Sequence, residues 1–271
     1  MPSLISAINL AELPGASIET NSEVAGLGVR ALLTERLGEV WRTGPGTTRT
    51  LWLDLGSLQW VRTVALFAPR DGMLPEASAK VDLSLSAIAK GGDELGKAGD
   101  LLVVDAAGRI MTDMAGADFV VRAGKPFSLP RGLWCWVLPE PAQVRFVQIV
   151  ITSSQPYLQF SRLWVGPALL PLRDPSPNGY APGGVDDRTS LPRRSARFTL
   201  ATLSESEADV LETIALEAGT QRQVFVVPRT ERADRTGFFG KFTSIPVPAP
   251  QQAWNERGRI YAADIAAQED R

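Results

Sequence analysis

Glu39-Val40-Trp41-Arg42 and Leu51-Trp52-Leu53-Asp54-Leu55-Gly56 are the stretches that decide the fold of this chain. In the second, Leu51, Leu53 and Leu55 fall on one face of a period-two segment, and Trp52 and Asp54 fall on the other. That is a strand with one face in a core. The run Val144-Arg145-Phe146-Val147-Gln148-Ile149 repeats the pattern, with Val147, Ile149 and Ile151 together and Phe146, Gln148, Val150 and Thr152 opposite. It is apolar enough on both faces to lie inside a β-sandwich. Further on, Leu158-Gln159-Phe160-Ser161-Arg162-Leu163-Trp164-Val165 supplies a closing strand.

Working outward, strand-like runs occupy residues 62–67, 80–88, 101–104, 134–138, 144–151 and 160–165. Turns separate them, most plainly Arg70-Asp71-Gly72 and Lys90-Gly91-Gly92-Asp93, where glycine reaches positive φ without a Cβ clash. The first part, residues 1–170, is therefore all-β. From Pro167 to Pro192 the composition shifts to Pro, Gly, Asp and Ser, which predicts a linker or an arm laid across a neighbouring subunit, residues 171–195. Tyr180 in its middle, and Arg193 and Arg194 at its end, are candidate contacts for a docking partner.

Residues 196–271 read as a small α+β domain. Ala196-Arg197-Phe198-Thr199-Leu200-Ala201-Thr202 alternates like a strand, and Ser204-Glu205-Ser206-Glu207 has the pattern of a capping box. The helix that follows carries an apolar stripe of Val210, Leu211, Ile214 and Ala218, with Gly219 placed for a left-handed cap. Three more strands are expected over residues 223–227, 237–245 and 259–265.

Taken together, the Trp41 segment, Trp52-Leu53-Asp54-Leu55-Gly56, Arg145-Phe146-Val147-Gln148-Ile149 and Phe160-Ser161-Arg162-Leu163-Trp164-Val165-Gly166 resemble, in order and spacing, the skeleton of discoidin-like domains. These are the galactose-binding-like jelly rolls also called coagulation-factor C-type domains. The resemblance implies a mainly β chain: an N-terminal galactose-binding-like jelly-roll β-sandwich ahead of the α+β domain. It also implies a ligand surface on loops at one end of the barrel, here residues 20–27, 42–49 and 71–76, with Trp41 supporting the core beside them. Arg42, Arg70 and Asp71 are candidate ligand contacts, and Trp60, placed near a turn, joins them as an aromatic on which a sugar could stack. Trp254 is a second exposed candidate.

Composition narrows the chemistry. With 271 residues, 44% of them hydrophobic, the chain has enough apolar side chain for two buried cores. A formal charge of −2 gives no footprint for phosphate backbones or anionic lipid, so nucleic acid is not expected, and no run approaches the ~18 apolar residues of a spanning helix, so neither is membrane insertion. The absence of histidine rules out Ser-His-Asp, Cys-His and histidine-based zinc sites within this chain. Carboxylate pairs such as Asp71 and Glu76, Asp93 and Glu94, or Asp186 and Asp187 sit in turn-like contexts where solvated side chains are usual. No calcium-loop array and no dinucleotide loop is present, so no enzyme, metal or cofactor is expected. Cys135, the single cysteine, excludes an intrachain disulfide and reads as a packed thiol between Trp134 and Trp136. The disulfide that closes many extracellular discoidin-like domains is missing, which points to synthesis in a reducing cytoplasm.

The C-terminal order of strand, capped helix and aromatic strands resembles the terminal region of bacteriophage distal-tail and baseplate components. Joined to a discoidin-like domain, it implies a structural protein of a virion tail tip, made in the host bacterial cytoplasm. Its partners would be distal-tail, hub and tube proteins and further copies of itself in a ring. The alternative is a carbohydrate-binding module that attaches to a host surface glycan.

Overall fold

The computed structural model describes residues 3–69, 80–87, 101–102, 121–123, 132–173, 175, 182–185, 192–251 and 259–270. The strands of its first part are β1 (Leu4–Ser6), β2 (Ser17–Thr20), β3 (Trp41–Arg42), β4 (Thr48–Ala68), β5 (Lys80–Ser86), β6 (Leu101–Leu102), β7 (Val121–Ala123), β8 (Gly132–Thr152), β9 (Gln159–Phe160) and β10 (Arg162–Gly166). After them come β11 (Pro182–Val185), β12 (Pro192–Leu203), helix α1 (Glu205–Ala218), β13 (Val224–Val227), β14 (Phe238–Phe242), β15 (Ala249–Pro250) and β16 (Tyr261–Glu269). The chain is mainly β, as expected, and divides into two compact units: Asn9–Pro167, and Met1–Ile8 with Ala168–Arg271.

In the Asn9–Pro167 unit one antiparallel sheet runs β10-β4-β8-β5-β6, with β2 also on β4 and β7 also on β5. A small second sheet pairs β3 with β9. The runs expected at residues 62–67, 134–138 and 144–151 belong to two long strands, β4 and β8, of 21 residues each. Their register breaks between Asp54 and Gln59 and again between Val61 and Thr63. Thr50 accepts from the Asn21 amide, Trp41 donates to Ser22, and Ser161, next to the Phe160–Trp41 pair, donates to Phe67. Thr50 and Phe67 therefore both lie beside Trp41, although a straight strand would hold them about 55 Å apart at ~3.3 Å per residue. The hairpin is folded back at its break, and its two halves supply the two layers of the sandwich.

Gly56 makes the fold-back possible. Its φ is +78°, and a Cβ there would stand 2.7 Å from the carbonyl oxygen of Gly15. On either side of it, the period-two reading holds: Leu51, Leu53, Leu55, Val147, Ile149 and Ile151 are buried, and Trp52, Asp54, Phe146, Gln148 and Val150 are half-buried.

The second unit is one sheet in the order β1-β13-β14-β16-β12-β11, with β15 also on β16. Its core gathers Ile5, Phe198, Leu200, Leu211, Ile214, Val224, Val226, Phe238, Phe242 and Ile265. The capping box forms as expected: the Glu207 amide donates to the Ser204 hydroxyl and the Ser204 amide donates to the Glu207 carboxylate. Gly219 ends the helix at φ +52°. One member of the expected stripe is displaced, because Val210 is exposed while Ala208 and Ala215 join Leu211, Ile214 and Ala218 in the buried face.

The division of the chain differs from the expected boundaries in two ways. Residues Leu4–Ser6 pair with β13 and belong with the C-terminal sheet, because an apolar Leu-Ile-Ser run completes an edge there. The segment expected as a linker, 171–195, contributes β11 and the start of β12, which pair at Pro182↔Arg194 and Val185↔Pro192.

Candidate binding rim

Three loops meet at the Trp41 end of the sandwich. Trp41 is fully buried; its indole Nε1 donates to the Ser22 carbonyl at 2.9 Å and its ring lies 5.6 Å from that of Phe160. Asn21 is tied to Thr50 in both directions, the Thr50 amide reaching Asn21 Oδ1 at 2.8 Å. The Thr43 amide donates to Leu158, whose own amide donates to Thr43 Oγ1 at 2.9 Å. Segments 21–28, 43–47 and 153–158 are thus fixed to the scaffold by backbone bonds, and a rim held this way keeps its geometry without a ligand.

Arg49 sits beneath this rim with 0% exposure, and its Nη1 and Nη2 donate to the carbonyls of Ser153 (3.1 Å) and Gln155 (2.7 Å). Burial pushes its pKa down from the usual arginine value, yet guanidinium stays charged. Sequence reading passed over it, although the signal was present: Arg49 shares the phase of Leu51, Leu53 and Leu55 and so points inward. A second buried arginine, Arg162, pairs with Glu12 and lies 5.5 Å over the Trp164 ring. Burial lowers its pKa, while Glu12 and Glu35 act to raise it.

Arg42 is on the rim. Its backbone bonds Leu27 and Val24, and its guanidinium carbon lies 4.5 Å over the ring of Tyr157, with both side chains half-buried. Tyr157 escaped notice because Ser-Ser-Gln-Pro-Tyr carries no periodicity, only turn composition. The end of β4 at Ala68 reaches the same side, but Arg70 and Asp71 themselves lie outside the described residues.

Trp60 is solvent-facing at 56% exposure, beside Leu58 at 51%. It stands at the fold-back of β4, opposite Gln143, and thus at the far end of the sandwich from Arg42. The structure does not bring these two candidates together. Trp41, Trp134, Trp136 and Trp164 are all buried, and Trp254 lies outside the described residues.

Of the docking candidates, Arg194 is engaged within its own unit, its amide donating to Glu269 at 2.9 Å and its Nη1 to the Gly237 carbonyl. Tyr180 and the side chain of Arg193 lie outside the described residues, as do Asp71, Glu76, Asp93, Glu94, Asp186 and Asp187. Among the described residues no group of three His, Cys, Asp or Glu side chains is placed to hold a metal ion. No described helix is long and apolar enough to cross a membrane. Cys135 is half-buried, 3.9 Å from Thr63 Oγ1.

No protein-family model matches the chain, and no curated protein matches it. Among solved structures, a GH29 fucosidase of Ruminococcus gnavus in complex with fucose aligns with 59% of this chain at 12% identity and a TM-score of 0.39, over only 26% of its own length. The family 32 carbohydrate-binding module of NanJ from C. perfringens, in complex with galactose, aligns over 59% of this chain and 98% of its own, at 13% identity and a TM-score of 0.36. A chitosan-binding module from a chitosanase/glucanase of Paenibacillus sp. IK-5 aligns over 58% and 96%, at 14% identity and a TM-score of 0.36. Likenesses at this level carry no functional argument.

Proposed function

We propose that the Asn9–Pro167 unit is a non-catalytic attachment module that binds carbohydrate on the rim formed by segments 21–28, 43–47 and 153–158. The observation that carries this reading is the Arg42–Tyr157 pair, 4.5 Å from guanidinium to ring, set between the end of β3 and the 153–158 loop, both fixed to the scaffold. A guanidinium donates to adjacent sugar hydroxyls in a planar fork, and a neighbouring aromatic offers the apolar contact that sugar rings use. Such a pair supplies hydrogen-bond donors and an apolar face, which is what adhesion to a sugar needs. The test is a glycan array with the full chain, in which Arg42→Ala and Tyr157→Ala each weaken binding about ten- to hundredfold. Binding that survives both substitutions would overturn the assignment to this rim.

We further propose that the chain serves as a structural component of a bacteriophage tail tip or baseplate, with the C-terminal unit as the part that docks on distal-tail, hub or tube proteins. What supports this is the sequence resemblance of the C-terminal strand and capped-helix order, an order kept by β12, α1, β13, β14 and β16. Tagged full-length chain should copurify with assembled tails. A chain that stays free in solution when such tails are present would remove this reading and leave the carbohydrate-binding one standing.

A further inference from the structure

Among the described residues, the sheet of the C-terminal unit has one closed edge and one open edge. At the closed edge, β1 is met by Leu169, with Ile5 and Leu169 exchanging two backbone bonds of 3.1 and 2.8 Å. At the other, β11 pairs only with residues 192–194 of β12, and among the described residues no strand covers the outer flank of Ala196–Leu203.

Neighbouring bonds reveal which amides face outward. In an antiparallel ladder, alternate residues turn N–H and C=O to alternate sides. Thr243 donates to Ala266 and Asp270 donates to Phe239, so the even-numbered residues of β16 turn toward β14 and the odd-numbered ones toward β12. With Ala196↔Ala267, Phe198↔Ile265 and Leu200↔Ala263 in register, Ala196, Phe198 and Leu200 are bonded to β16. The amides of Arg197 and Thr199 therefore point away from the sheet, and Ala201 follows where the register begins to shift. Arg197 and Ala201 are exposed and Thr199 is half-buried. The protections the stretch has are the charge of Arg197 and an irregularity between Leu200 and Leu203; Ala196–Leu200 itself holds no proline, no inward charge and no bulge.

We propose that this edge is an interface for a second copy of the chain, which continues the sheet through antiparallel β12–β12 pairing about a twofold axis at Thr199. The register centred there is symmetric: it sets Arg197 opposite the partner's Ala201, Thr199 opposite the partner's Thr199, and Ala201 opposite the partner's Arg197. The two arginines stand at opposite ends of the ladder, so like charges do not meet. Ala201, with a single methyl, leaves Arg197 room to lie along the partner's Thr199 and Asp264. These two side chains are hydrogen-bonded to each other within each copy, and Asp264 opposes Arg197 in charge. Among the described residues the closed edge at β1 leaves this sheet no second long flank for head-to-tail growth, so pairing through β12 joins two copies.

Sedimentation of the full chain tests this independently of any glycan or tail binding. Wild type sediments as a dimer, and Thr199→Pro, which removes the central outward donors while sparing the bonds to β16, sediments as a folded monomer. Thr199→Val, which loses the hydroxyl but keeps the amide, remains a dimer. Two substitutions that need no backbone change examine the register: Ala201→Arg, which sets like charges opposite each other, and Arg197→Glu each raise the dissociation constant about fivefold. The double variant R197E/A201R, which pairs Glu with the partner's Arg, recovers the wild-type constant. A monomeric wild type, a dimeric Thr199→Pro, or a double variant no tighter than the singles would each overturn the proposal.

Discussion

Arg49 donates to the backbone carbonyl of Ser153 at 3.1 Å, joining β4 to the loop that carries Tyr157. A buried cation with only carbonyl partners is retained where it fixes a loop that lacks regular structure, because each carbonyl would otherwise lose its donor in a site away from water. Replacing it by alanine should lower stability by about 2–4 kcal/mol, from lost charged hydrogen bonds and a cavity. Urea unfolding would register this as a lower midpoint at an unchanged slope; an unmoved midpoint would mean that the loop holds itself.

Gly56→Ala should cost about 1–3 kcal/mol, since φ of +78° is strained for any L side chain. The new Cβ would also meet the Gly15 carbonyl, so part of the loss should be recovered by no small residue at all. Alanine, serine and asparagine variants compared by thermal melting check this. A neutral Gly56→Ala would show that the strand turns back without needing positive φ.

Trp60→Ala separates the two ends of the sandwich. With the ring exposed and distant from Arg42, its removal should leave stability within about 0.5 kcal/mol and rim glycan binding unchanged. Loss of binding on this substitution would move the ligand to the fold-back and away from Tyr157.

Glu207 gives the C-terminal unit a pH dependence. Burial acts to raise its pKa, but the amides of Ser204 and Leu172, the Ser204 hydroxyl and the charge of Arg173 outweigh it and hold the carboxyl below its ordinary value. A depressed carboxyl contributes stability that is complete above its unfolded pKa of ~4.3 and is lost as pH falls through the lower folded value. Thermal melts between neutral and strongly acid pH should show Glu207→Gln less stable than wild type at pH 7, with the gap closing in acid. A gap constant with pH would mean that the cap works without its charge.

Much of the architecture could be read from residues alone, and the reasons are local. The phase of Leu51, Leu53 and Leu55 and the Ser204–Glu207 spacing are set by neighbours in sequence, so both were legible. The joining of residues 62–67 to 51–55 in one strand was not, because Gly56, Ser57 and Leu58 look like a turn until the partner strand is seen to bend with them. Leu4-Ile5-Ser6 carries no mark of its distant partner. The rim was half legible: Arg42 lay beside the Trp41 landmark, whereas Tyr157 and Arg49 act through contacts more than a hundred residues away in sequence, and Trp60, equally conspicuous, belongs to the other end.

The pairing of Ile5 with Val226 makes the Asn9–Pro167 unit an insertion within the C-terminal one. On the ribosome, at about 5–20 residues per second, the Leu-Ile-Ser strand waits tens of seconds before its partner emerges. The inserted unit can close during that wait; the enclosing one completes itself only after β13, β14 and β16 have been made. Trimming residues 1–8 should therefore injure the part of the protein farthest from the cut in sequence.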